Sequence, residues 1–97
     1  MKQIMVTFNF QGAKSDQYDA IMDDLNPSGI LNNSGLLFHA CAKSSNGLKV
    51  CDVWESEESF KKFGETLIPL VKKHGVEAVP PEILPMHNMV TFLTAHT

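Results

Sequence analysis

The chain has 97 residues, 43% hydrophobic and 20% charged, with a net charge of −3. That suffices for one domain, which alone hides only about two-thirds of its unfolded surface and so favours further burial against a second copy. A nucleic-acid footprint is excluded because no lysine cluster exceeds the pairs at 61–62 and 72–73, and no apolar run approaches a membrane span.

Residues 4–10, IMVTFNF, put Ile4, Val6, Phe8 and Phe10 on one face and Met5, Thr7 and Asn9 on the other, the period of a strand. QGAKS breaks it, and Ser15 is placed to cap a helix with Asp16 in its first turn. Tyr18, Ile21, Met22 and Leu25 then recur as one apolar helical stripe. NPSG at 26–29 ends that helix, and a polar loop runs through NNSG.

Two strands, 36–42 and 48–55, flank KSSNG, whose Asn46-Gly47 pair is a strong hairpin signal. Ser56 caps the second helix, helped by Glu57 and Glu58, and Phe60, Phe63, Leu67, Leu70 and Val71 form its stripe. Pro69 predicts a kink or a fresh short helix, and Gly75 suits the residue after the helix end. The proline-rich VPPEILP is extended, MHNMVTFL at 86–93 reads as the last strand, and TAHT as a frayed end.

The order βαββαβ predicts an α+β fold, the ferredoxin-like plait: a four-stranded antiparallel sheet in the order 4-1-3-2 with two helices on one face. The strands nevertheless carry large apolar residues on both faces. A face left uncovered by helices would be an apolar patch that soluble monomers rarely tolerate. A homodimer through the sheet faces is therefore expected.

Asp52 interrupts an apolar strand two places before Trp54, the one tryptophan in the chain. A hairpin with residues 44–47 in its loop sets His39 opposite Asp52, Cys41 opposite Val50 and Leu37 opposite Trp54. A two-residue Asn-Gly loop instead sets His39 opposite Trp54 and Cys41 opposite Asp52. Either register puts His39, Asp52 and Trp54 on one face, unless a bulge intervenes.

A buried carboxylate needs a partner, so Asp52 and His39 read as a satisfied structural pair. They read equally as an imidazole base oriented by a carboxylate, with Trp54 as a wall that stacks on a planar ligand. Ala40, Ala42 and Cys51 share the other face with Phe38 and Val53. Their small size suits packing under helices, which would turn Asp52 toward a partner subunit.

His87 opens the expected last strand as a ligand-lining candidate, and Asn9 is a candidate polar pocket residue. Tyr18, Met22, Phe60 and Phe63 are core, with some lining any cavity. His74 suits a helix end. Cys41 and Cys51 read as small buried hydrophobes and, lacking CxxC spacing, as neither disulfide nor zinc ligands. No metal and no cofactor is expected, and the chain reads as cytoplasmic.

DQYDAIMDDL in the first helix, VCDVWESEESFKKF from strand into second helix, and MHN opening the last strand resemble the dimeric α/β-barrel proteins related to antibiotic-biosynthesis monooxygenases. The resemblance implies a barrel closed between protomers and a ligand pocket between helices and sheet. The haem-degrading branch carries a tryptophan, a histidine and an asparagine at positions that fall here on Phe63, Lys73 (with His74 one step off) and Met5, so its pattern is missing. The expected activity is binding of a small, mostly apolar molecule. A cofactor-independent monooxygenase or isomerase acting on an aromatic or quinol-like substrate is the alternative, with His39 as base, Asp52 orienting it, Trp54 as wall and His87 as a second polar contact. A structural module without a ligand is the third reading.

Overall fold

A computed structural model describes residues 2–26 and 29–92. The elements are β1 (Ile4–Gln11), α1 (Ser15–Leu25), a short 3-10 turn (Ile30–Asn33), β2 (Leu36–Ser44), β3 (Gly47–Trp54), α2 (Glu57–Lys73) and β4 (Glu82–Pro85). The sheet is antiparallel and ordered β2-β3-β1-β4, as the ferredoxin-like reading requires. The expected frayed end at 94–97, and Pro27 and Ser28 of the first turn, lie outside the described residues.

Both helices cover the face built from Ile4, Val6 and Phe8, against which Ile21 and Leu25 of α1 and Phe63 and Val71 of α2 pack as one core. Burial follows the sequence period: β1 alternates buried Ile4, Val6 and Phe8 with more exposed Met5, Thr7 and Asn9. Val6 and Trp54 are fully enclosed at its centre.

Two of the four helix ends follow the expected chemistry closely. Ser56 Oγ accepts the Ser59 backbone N–H at 3.1 Å, with Glu57 and Glu58 in the first turn of α2. At its other end the N–H of Gly75 donates to the Lys72 carbonyl and that of Val76 to the Val71 carbonyl. Gly75 takes φ +78°, which a side chain disfavours, and Val76 folds back into the core beside Val71.

Three expectations are corrected. α1 is capped from Lys14, whose extended backbone N–H donates to Gln17 Oε1 at 2.8 Å, so Ser15 is already helical. α2 runs unbroken through Pro69, because the proline is exposed and lies on the water side, where the carbonyl it leaves free can be hydrated. The last strand is Glu82–Pro85, not 86–93. β4 pairs with β1 from Thr7↔Glu82 to Ile4↔Pro85, and β1 begins at Ile4, so residues past Pro85 outrun their neighbour after a single bond from Met86 N–H to the Gln3 carbonyl. Their apolar alternation is left in water, with Val90 65% and Phe92 88% exposed.

Candidate functional site

The β2–β3 hairpin decides the site. Ser44 pairs with Gly47 across a two-residue Ser45-Asn46 turn, which sets Lys43↔Leu48, Cys41↔Val50 and His39↔Asp52. Gly47 is required here by close approach, since a Cβ would run into the Phe10 carbonyl oxygen of β1. The register is thus the one expected from the longer loop, except at its far end. A bulge between Leu36 and Phe38 puts Leu36, not Leu37, opposite Trp54 and leaves Leu37 half exposed.

His39, Asp52 and Trp54 share the face under the helices, which resolves the orientation that the sequence left open. The reason is volume: Leu48, Val50 and Trp54 of the same strand face are needed to fill the space beneath α1 and α2. Ala40 and Ala42 lie on the opposite face and are exposed.

Asp52 is only 6% exposed, and its Oδ1 lies 2.5 Å from His39 Nδ1. An ionised carboxylate has no proton to give, so the ring donates from Nδ1 and Nε2 carries the lone pair. That lone pair accepts the Tyr18 hydroxyl at 2.5 Å. The phenol and imidazole planes are nearly parallel, with centroids 5.9 Å apart, a separation that fits rings joined at their tips. A side chain from α1 therefore completes a line that starts on β3 and crosses β2.

This line forms part of the wall of a partly open cavity of about 200 Å³ between helices and sheet. The cavity exceeds the roughly 150 Å³ hole that accepts benzene, so it can take one substituted ring or a compact fused pair. Phe8, Met22, Leu48 and Phe63 make most of the remaining surface apolar. Trp54 also lines it, 1% exposed, with its ring 5.2 Å from Phe63 and 5.7 Å from Phe60. The Trp54 indole N–H is the one buried side-chain donor without an acceptor among the described residues. An unpaired buried donor costs about 1–3 kcal/mol, which a ligand acceptor would relieve.

Burial, then the thiolate that Cys41 becomes at high pH and the carboxylates of Asp52 and Asp19, push the Tyr18 hydroxyl above its ordinary pKa, so it stays protonated at neutral pH. Burial and Asp19 likewise push up the Cys41 thiol, which suits a filler and not a nucleophile.

Of the other expected site residues, Phe63 lines the cavity. Asn9 does not: it points to the opposite sheet face and is exposed, because β1 turns Phe8 and Phe10 inward. His87 does not either, since it lies beyond β4, exposed and in no strand. Tyr18 is the member that sequence reasoning assigned to the core. Its signal was a hydroxyl within an otherwise aliphatic stripe.

No family model matches the sequence, and no curated protein is significantly similar to it. The fold is shared with solved structures of the antibiotic-biosynthesis-monooxygenase type. SnoaB, a cofactor-independent oxygenase from Streptomyces nogalater, superposes with a TM-score of 0.59 at 10% identity, over 94% of this chain and 96% of that one. An antibiotic-biosynthesis monooxygenase (so described provisionally) from Deinococcus radiodurans gives 0.57 at 10% identity, over 97% and 100%. The ActVA-Orf6 monooxygenase of Streptomyces coelicolor, solved with nanaomycin D, gives 0.55 at 17% identity, over 97% and 92%. At these identities the likeness establishes the ferredoxin-like fold and nothing finer.

Proposed function

We propose that the chain binds a small, mostly apolar aromatic molecule carrying an acceptor oxygen, and that the His39–Asp52 pair acts on it as a base. The observation that carries this reading is that a carboxylate–imidazole pair and Trp54, whose buried indole N–H has no acceptor, are among the residues lining one apolar cavity. Trp54 would hold the ligand's carbonyl or quinoid oxygen, and Asp52 would keep the imidazole in the tautomer that accepts a proton and then stabilise the imidazolium. The anion so formed can be reprotonated elsewhere, as in an isomerase, or give its electrons to dioxygen, as in a cofactor-independent monooxygenase. That the structural neighbour SnoaB is a cofactor-independent oxygenase and ActVA-Orf6 a monooxygenase favours the second.

The test is oxygen uptake with 1,4-naphthalenediol, measured above its autoxidation. Uptake accelerated by the native protein and lost in Asp52→Asn is expected. Equal rates would remove the enzymatic reading and leave a binding protein.

The same reading includes a homodimer through the open sheet face. It is supported by the half-exposed Leu37 and Leu84 and by the exposed Met89, Val90 and Phe92 of the stretch that outruns β1. Light scattering at micromolar concentration should give twice the 10.8 kDa chain mass, and a 10.8 kDa particle would contradict it.

A further inference from the structure

We infer that Tyr18 is the group through which this site moves a proton: its hydroxyl stands between His39 and the acidic O–H or C–H of the bound molecule. The inference rests on the reading of the cavity as a ligand site and changes which atom meets the ligand.

Both ring nitrogens of His39 are engaged, Nδ1 by Asp52 and Nε2 by Tyr18. The imidazole therefore offers a ligand no free lone pair. Tyr18 Oη does, because an oxygen that donates its hydrogen keeps two lone pairs, and Tyr18 lines the cavity. A resting tyrosinate is disfavoured, for burial and the surrounding negative charges hold the phenol protonated. Tyr18 thus conducts a proton without storing charge.

In the step, the ligand's bond to hydrogen breaks and its electron pair stays on the ligand. That proton bonds to Tyr18 Oη while Tyr18's own proton passes to His39 Nε2. The products are a ligand anion, a neutral tyrosine and an imidazolium held against the Asp52 carboxylate. The titratable groups around this line are Asp52 from β3, Cys41 from β2 and Asp19 from α1, while α2 gives the cavity apolar side chains, among them Phe63, Leu67 and Val71. Among the described residues no lysine lines the cavity, so the imidazolium is the cation that faces the anion.

The probe is 4-nitrophenol, a single ring whose nitro oxygens can accept from Trp54 and whose ionisation is visible as a yellow colour. It is added slightly below its own ionisation midpoint, with occupancy read from quenching of Trp54, the single tryptophan. The native protein should turn each bound molecule yellow while releasing no proton to the buffer. Tyr18→Phe should bind the probe comparably, yet the ratio of ionised to neutral bound probe should fall about tenfold, one unit of pKa. His39→Gln, which keeps Tyr18 in place, should lose the colour as well. Colour that survives in Tyr18→Phe, or a colourless native complex, overturns the relay alone. Absence of quenching in the native protein overturns the ligand site and the relay with it.

Discussion

Two aspartate–histidine pairs stand among the described residues, and comparing them shows what turns such a pair into a site. Asp24 of α1 meets His74 at the end of α2, Oδ2 to Nε2, at 2.8 Å, and also Lys73 at 3.3 Å. Gln17, two turns earlier on the same side of α1, donates to the His74 carbonyl. This cluster is solvated and its carboxylate has two cationic or proton-donating partners, so it fastens two helices and has no room for a further molecule. Asp52–His39 has the same chemistry in the opposite setting. It is buried, uncompensated by any lysine, extended by a hydroxyl and placed on the wall of an apolar cavity. Low dielectric and empty space, not the residue pair, carry the functional reading.

The largest expected contrast is in proton transfer. Asp52→Asn should lower the rate of oxygen uptake with 1,4-naphthalenediol by about a hundredfold or more, the usual scale of general-base loss, whereas Asp24→Asn should leave it unchanged. Steady-state oxygen-electrode traces check this, and equal losses in the two variants would erase the distinction.

Stability should separate them next. Asp52→Ala leaves a partly buried imidazole without its acceptor and should cost about 1–3 kcal/mol in urea unfolding. Asp24→Ala, at an exposed cluster, should lower the midpoint at neutral pH only slightly, far less than Asp52→Ala does.

Hydrogen bonds from His74 and Lys73 pull the Asp24 carboxyl below its ordinary range. A depressed folded-state pKa gives stability that is present above the unfolded value, about 4, and lost as pH falls through the folded one. The urea midpoints of the native chain and Asp24→Asn should therefore differ at neutral pH and converge in acid. Tyr18 works in the reverse sense. It is the one tyrosine in the sequence, so tyrosinate absorbance reports it alone and should appear above the ordinary midpoint of about 10 in the native chain, returning there in urea. Its contribution to stability is present below that value and lost as pH rises through the higher one. The smallest effect on the ligand is expected from Trp54→Phe. It removes a donor that is unpaired in the free protein, so it should weaken 4-nitrophenol binding, measured calorimetrically, by about one hydrogen bond, near tenfold, while the volume lost from the packed core lowers the urea midpoint.

That His39 and Asp52 share a sheet face was legible in the sequence because strand parity is local, but two turns were open, and only the structure selects the register that pairs them, across Ser45-Asn46. Which face the pair occupies was not legible. Ala40 and Ala42 looked suited to close packing, but the space under the helices is filled from Leu48, Val50 and Trp54, and only the helix positions reveal that. Tyr18 was hidden for a related reason, since its hydroxyl acquires meaning only when α1 crosses β2. The last strand was misplaced because its apolar alternation, at 86–93, is the part without a partner in the chain, while the short EILP segment that does pair sits behind two prolines.

The central claim, that the helix–sheet cavity is a ligand site, is tested most directly by titrating Trp54 fluorescence with 4-nitroanisole, which has acceptor oxygens and no acidic proton. Saturable one-to-one quenching is predicted, abolished when Ala13 on the cavity wall is enlarged to Leu. Quenching that never saturates, or that Ala13→Leu leaves untouched, would contradict it.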